Sequence, residues 1–478
     1  MQRVISGFEP DKVFEYFEQI SAIPRSSGEE ERISGFLVNF AKEHGLDYYQ
    51  DDIWNVVIKK PASKGYEGLP AVALQGHMDM VCEKNSGTLH DFTCDPIRLV
   101  VQGDRLCADG TTLGADNGIA VAMMLAVLAD DTLRHPPLEC IFTVMEETGL
   151  TGAAMIDGTQ IKAAYMINLD AEEEGIATVS CCGGIRTHLK REFDFVPAEG
   201  NCVEIAVGGL AGGHSGMDIH RGRANANKLM ARVLTALSEY GEFYFASMNG
   251  GNKDNAIPRE CRAVVVLPAS AQEAAAFLEN TTQAVAAKLV EEDNGFTLTV
   301  TDADANRMLT AEDTRAILTF MNESPNGVLS RGAEGFIESS INFASINTTG
   351  TGIECVFSAR SVFEDKKHDI VSALEQTAAK AAFTASSTGD YPGWAYDPAS
   401  RLRELAFTSY RELFNSELEM NAIHAGLECG LFKAKNPALD IVAIGPNVVG
   451  CHTPSEYLDL ASCSKVWQLL LAILKKLR

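Results

Sequence analysis

The stretch Ala71-Val72-Ala73-Leu74-Gln75-Gly76-His77-Met78-Asp79-Met80 decides how the rest of the chain is read. Its first four residues are small or apolar and predict a buried strand, which Gly76 is expected to end. His77 and Asp79 follow two positions apart, and in extended backbone residues i and i+2 point to one face. A carboxylate beside a histidine fixes its tautomer and makes it a better metal ligand. A single histidine at a strand end is more often a hydrogen-bonded structural residue. Here acidic groups and a second histidine recur downstream in similar settings.

On the N-terminal side, residues 11–21 predict a helix with Val13, Phe14, Phe17 and Ile20 on one face. Ser26-Ser27-Gly28-Glu29-Glu30 offers cap candidates for a second helix, striped by Ile33, Phe36, Leu37 and Phe40 and ended by Gly45. Residues 55–58 predict a short strand. On the C-terminal side, Gly114-Ala115-Asp116-Asn117-Gly118 leads into an apolar helix over 119–128. Asp116 and Asn117 therefore sit at a helix start, where a cap and a metal ligand both favour a carboxylate. Residues 138–145 predict a buried strand running straight into Glu146-Glu147, and residues 165–169 predict another ending at Asp170. Binding groups collect at the C-terminal ends of strands in open α/β sheets. Asp116, Glu146, Glu147 and Asp170 thus join His77 and Asp79 as a candidate ligand set.

The pattern changes after about residue 185. Strands and helices then alternate over 203–207, 225–237, 263–267, 271–292, 296–301, 314–322, 353–358 and 368–385, with a glycine loop at 208–216 that carries His214. This predicts an inserted α/β domain over 186–388, left through the turn-rich segment 386–393. Residues 1–185 and 389–478 then form the two parts of the main domain. In the second part, 401–414 and 464–477 predict helices, 440–444 a strand, and 424–430 a loop or glycine-interrupted helix start. Cys451-His452-Thr453-Pro454-Ser455-Glu456 is a turn, and His452 alone fits a surface residue as well as a ligand.

The 478 residues call for two or more domains, and 46% apolar residues suit a folded globular chain. No run of about 18 apolar residues predicts a membrane helix, and residues 1–16 lack the pattern of a signal peptide, so a cytoplasmic protein is expected. A net charge of −25 argues against nucleic-acid binding and leaves room for a metal or a cationic ligand. The 12 cysteines lack CxxC spacing, which predicts free thiols.

Imidazole with carboxylate suits zinc, manganese or cobalt. One carboxylate can bridge two ions about 3.5–4 Å apart in a hydrolytic site. Adjacent Glu146 and Glu147 would point opposite ways in extended backbone, so that one binds metal while the other serves as base. No GxSxG elbow, Walker loop or HExxH helix is present, and nothing completes a triad with His214-Ser215.

Gly76-His77-Met78-Asp79, Gly114-Ala115-Asp116-Asn117, Glu146-Glu147-Thr148-Gly149, Asp170 and Cys451-His452-Thr453-Pro454 follow one another as in the co-catalytic zinc exopeptidases related to aminoacylase and carboxypeptidase G. With Gly209-Leu210-Ala211-Gly212-Gly213-His214-Ser215-Gly216, the chain resembles the bacterial aminoacyl-histidine dipeptidase branch of that superfamily. The resemblance implies an α/β fold, a central mixed sheet flanked by helices with an inserted α/β lid domain. It implies two Zn2+ ions, replaceable by Co2+ or Mn2+. His77, Asp116 and Asp170 would hold one; Asp116, Glu147 and His452 would hold the other. Glu146 would be the general base for the attacking water and Asp79 would orient His77. On the lid, His214 would stabilise the oxyanion, Asn255 would line the substrate site and Arg360 would pair with the substrate carboxylate. Gly426 would match a substrate-contacting glycine, although its surroundings depart from the commoner family pattern. Without the resemblance, Asn255 reads as a turn residue and Arg360 as a surface charge.

The expected activity is hydrolysis of dipeptides with a free C-terminus, Xaa-His among them, by a cytoplasmic homodimer with no nucleic-acid or membrane partner. The alternatives are an N-acyl amino acid deacylase and, in another class, a non-catalytic metal-binding assembly protein.

Overall fold

A computed structural model describes residues 3–478, which divide into two units. The first comprises the chain up to Ser180 with Tyr396–Ala422 and Leu427–Arg478; the second comprises Cys181–Ala395 with Ile423–Gly426. The sequence places these divisions at 185/186 and 388/389. The actual ones fall outside those limits because the second unit's sheet takes up strands Gly183–Glu192 and Thr384–Tyr391.

The first unit is built on an eight-stranded mixed sheet. Its centre is four parallel strands in the order Leu138–Thr143, Val72–His77, Tyr165–Asn168 and Asp440–Ala443. Val72–His77 and Leu138–Thr143 are buried at every residue. Strands covered on both faces read as continuous apolar runs, which is why these were legible. The central strand does not end at Gly76 but continues through it to His77. A Cβ on Gly76 would strike the Asn117 side-chain oxygen and lie 2.6 Å from Ala120 Cβ, so the glycine admits the helix Ala115–Ala129. That helix is enclosed from Asn117 to Leu128, matching its unbroken apolar sequence. Helices Asp11–Ser21, Glu31–Glu43, Arg401–Phe414 and Leu460–Lys476 supply further core residues, among them Phe14, Leu37, Leu402 and Leu470. A smaller four-stranded sheet includes the hairpin of Val448–Val449 with Tyr457–Asp459, whose loop carries His452.

The second unit holds a nine-stranded sheet in which every pairing is antiparallel. Helices Ala226–Tyr240, Ala271–Ala286, Ala311–Glu323 and Glu364–Lys380 contribute Leu234, Leu278, Phe320 and Leu374 to its core. The sequence reading missed strands Tyr244–Gly250 and Ile337–Thr348 and the strand character of Gly183–Glu192. The expected turn-rich exit at 386–393 is mostly the edge strand Thr384–Tyr391, exposed along nearly its whole length. A strand with so little buried surface carries no apolar alternation to read. None of the 12 cysteines is in a disulfide.

Candidate functional site

His77 closes the central strand with its ring buried to 1% exposure. Its Nδ1 lies 3.3 Å from Asp79 Oδ1, and its Nε2 lies 3.0 Å from Asp116 Oδ1 and 3.5 Å from Asp170 Oδ1. The other oxygen of Asp116 is 3.2 Å from His452 Nε2, which is in turn 3.0 Å from Glu147 Oε1. Asp116 thus stands between two histidines with one oxygen toward each. Two potential ligand triplets result, His77 with Asp116 and Asp170, and Asp116 with Glu147 and His452, the donor atoms of each lying within 4.8 Å of one another. Borderline nitrogen and hard oxygen donors with a shared carboxylate fit a pair of divalent ions. Glu172 and Cys451 come within the same reach of Asp116, and the sequence had singled out neither.

Neither Asp116 nor Asn117 caps its helix. Both have non-helical backbone, and the Asn117 amide donates to the Leu169 carbonyl at 2.9 Å. The cap comes from far along the chain. Buried Glu456 accepts from the N–H groups of Leu113, Gly114, Ala115 and Asp116 at 2.8–3.3 Å. The Asp116 carboxylate is thereby released from the capping role and turned to the histidines. Buried Arg25 ties the same region together, donating to the carbonyls of Met78, Asp79 and Gly114.

The Glu146-Glu147 pair also differs from expectation. The strand ends at Thr143, Met145 has φ 49°, and both glutamates lie in a turn rather than in extended backbone. Asp79 holds that turn, its Oδ1 accepting from Glu146 N at 3.2 Å and its Oδ2 from Glu147 N at 3.3 Å. Ser27 donates to the same carboxylate at 2.8 Å, and Glu30 accepts from Met145 N at 2.9 Å. The expected cap serines instead serve Asp79 and Cys82, and the helix begins at Glu31 without a side-chain cap. Behind the strand ends, buried Glu428 accepts from Gln75 Nε2 at 2.5 Å and Thr143 Oγ1 at 2.7 Å. A lone acid in the segment 427–432, whose residues are otherwise largely apolar, was the available signal for it.

This concentration of negative charge governs the protons. Burial opposes charging His77, yet Asp170, Asp116 and Asp79 hold its pKa well above the usual value. Burial pushes Glu146 up to about 8, helped by Glu428, Glu147 and Asp116. Burial also raises Glu428 to about 7, and hydrogen bonds to Asp116 and Glu147 raise His452 to about 10. Protons here neutralise a site whose ligands must lose them to bind metal, so divalent ions can take their place.

In the second unit, strand Gly213–His214 pairs with Ala256–Ile257, and Ser215 N donates to the Asn255 carbonyl at 2.8 Å. His214 Nδ1 accepts from Gly216 N at 3.2 Å and Met217 N at 3.0 Å. With Nδ1 an acceptor and the pKa lowered by burial and by Arg360, the neutral ring carries its proton on Nε2. The Asn255 side chain is exposed and makes no hydrogen bond among the described residues. Arg360 is not a surface charge. It is only 7% exposed and has no acidic partner among the described residues. A Cβ on Gly216 would meet the His424 carbonyl, His214 Cε1 at 3.1 Å and Arg360 Nε at 3.2 Å, so these groups converge. A Cβ on Gly426 would lie 2.7 Å from the Tyr391 ring, a local packing reason for the glycine.

Residues 73–476 match the model of peptidase family M20/M25/M40. The chain is 39% identical to the cytosol non-specific dipeptidase of Escherichia coli (strain K12) over 482 aligned residues, covering 99% of each protein. It is similar to the crystal structure of aminoacylhistidine dipeptidase from Vibrio alginolyticus, with a TM-score of 0.94 and 35% identity over 98% of this chain and 97% of that one. Aminopeptidase PepT from Bacillus cereus ATCC 10987 shares the fold at 16% identity, with a TM-score of 0.57 over 98% of this chain and 99% of that one. With a family match spanning most of its length and a full-length curated relative, the chain belongs to peptidase family M20/M25/M40.

Proposed function

We propose that this chain is a metal-dependent dipeptidase acting on dipeptides with a free C-terminus, Xaa-His dipeptides included. The observation that carries the reading is Asp116, shared between two ligand triplets, with half-buried Glu146 within ligand distance of His77 and Glu147 beside them. Two divalent ions, zinc in this proposal with cobalt or manganese as substitutes, would polarise the scissile carbonyl and make a water acidic enough to attack at neutral pH. His77, Asp116 and Asp170 would hold one ion; Asp116, Glu147 and His452 would hold the other. Asp79 orients His77 through Nδ1 and fixes the turn that presents Glu146 and Glu147. Glu146 takes a proton from the attacking water and passes it to the leaving amine.

Four residues of the second unit are proposed to contact substrate. His214 donates its Nε2 proton to the developing oxyanion, a role suited to a neutral ring held by two backbone N–H groups. Arg360 pairs with the free carboxylate, supported by its burial without a counter-ion. Asn255, exposed beside the His214 strand, lines the site, and Gly426 contributes backbone to it. Both full-length relatives are named dipeptidases, which favours peptide hydrolysis over the deacylase alternative. The proposal includes a homodimer and a cytoplasmic setting, the latter in keeping with the name of the Escherichia coli relative. Among the described residues no helix is long and apolar enough to cross a membrane.

The test is Glu146→Ala with metal content measured alongside turnover. The reading expects kcat to fall by roughly 10²–10⁴-fold with metal retained. Near wild-type turnover at full metal occupancy would remove Glu146 from the mechanism.

A further inference from the structure

Arg360 lies in a row that crosses four strands of the second unit. Ser340 is opposite Arg360, Arg360 is opposite Gly184, and Gly184 is opposite Tyr391. Residues directly opposite in antiparallel strands project to the same face. Gly184 is the one member of the row without a side chain, and the Tyr391 ring lies across it. A Cβ on Gly184 would be 2.6 Å from the phenol oxygen and 2.7 Å from Cζ. Gly426 meets the same ring at Cε2. Two glycines therefore make room for one tyrosine ring, and a register shift between Thr388 and Tyr391 brings that residue into the row. Lys367 Nζ anchors its carbonyl at 2.7 Å.

The result is a hydrogen bond from Arg360 Nη1 to the Tyr391 oxygen at 3.1 Å. It is the one side-chain hydrogen bond that Arg360 makes among the described residues, and Arg360 Nε is buried without a partner. A phenol oxygen that accepts from a guanidinium has its own proton left to give. Among the described residues no acceptor takes it. An unpaired buried cation beside an unused O–H donor is a receptor for an anion with two acceptor oxygens.

We propose that Tyr391 is a specificity-determining residue of the carboxylate subsite, accepting from Arg360 and donating its hydroxyl proton to the dipeptide's free carboxylate. The inference rests on the assignment of Arg360 to that carboxylate. The site then reads the C-terminus with two donors of different kinds, a charged fork and a neutral hydroxyl. A C-terminal amide loses the charge that Arg360 requires and places an N–H group against donors.

The test compares a free dipeptide with its C-terminal amide in the wild type, Tyr391→Phe and Gly184→Ala. Tyr391→Phe keeps the ring over Gly184 and deletes only the O–H. The expected result is a KM for the free dipeptide raised roughly ten- to a hundredfold, the factor carried by a hydrogen bond to a charged group, with kcat little changed. The preference for acid over amide should fall by the same factor. Gly184→Ala keeps the hydroxyl and displaces the ring, and should lower the preference in the same sense. A merely structural role would lower activity on both substrates alike and leave the ratio unmoved. A wild-type ratio in either variant, or a loss shared equally by acid and amide, overturns the assignment of Tyr391. A wild type that cleaves no free dipeptide would instead overturn the dipeptidase reading beneath it.

Discussion

In the first unit, Asp79, Asp116, Glu146, Glu147 and Asp170 gather round His77, and the Asp79 and Glu147 side chains are 0% and 7% exposed. In the second, Arg360 is equally shielded without a carboxylate partner among the described residues. One region has more buried anions than its own histidines can offset, and the other has a buried cation with nothing opposite. Buried charge without a partner is costly to a folded chain. Each imbalance therefore points to a ligand of the missing sign, divalent cations for the first and a carboxylate for the second. A dipeptidase that uses metal and requires a free C-terminus needs both.

The comparison breaks most visibly at Arg360. Arg360→Met keeps much of the volume and removes the charge. Because no ion pair is lost, thermal stability should hold or rise, while KM for free dipeptides rises by about 10²-fold or more. Steady-state kinetics and a melting curve on the same sample check it. A large fall in Tm with KM unchanged would make Arg360 structural.

A smaller effect sharpens the acidic side. In metal-free protein Glu146 keeps its proton to about 8, against an ordinary value of 4.5 that applies once the chain unfolds. Between these values the unfolded chain binds fewer protons than the folded one, so stability falls as pH rises. Glu428, raised to about 7, acts in the same direction. His452, raised to about 10, contributes stability present below its ordinary 6.5 and lost as pH rises through about 10. Calorimetry of the metal-free protein should show Tm dropping by several degrees, roughly the effect of 1–2 kcal/mol, between pH 5 and 9. With metal bound the drop should shrink or vanish, since the ions replace those protons. A metal-free Tm that rises over this range would contradict the proton assignments.

Much of the first region was legible because its central strands are buried and largely apolar, with an acid or a histidine at or shortly after each strand end. His77, Glu146-Glu147 and Asp170 stand where Val72–His77, Leu138–Thr143 and Tyr165–Asn168 stop. The supporting contacts were not legible. Glu456 caps a helix start more than 340 positions earlier in sequence, and Glu428 reaches back to Gln75. No local spacing encodes such pairings. The second region was less readable for a different reason. Arg360 looks like a surface charge in sequence, because only the cross-strand register shows that it is buried beside a glycine-sized gap. Edge strand Thr384–Tyr391 hid for the opposite cause, since it buries almost nothing along its length.

The most direct test of the central claim is a metal titration of metal-free protein, following hydrolysis of a panel of Xaa-His dipeptides, other dipeptides, a tripeptide and an N-acetylated dipeptide. The account predicts activity that returns as two equivalents of zinc, manganese or cobalt bind, and that is confined to dipeptides with both termini free. Activity mainly on the acetylated substrate, or none on any member with metal bound, would contradict it.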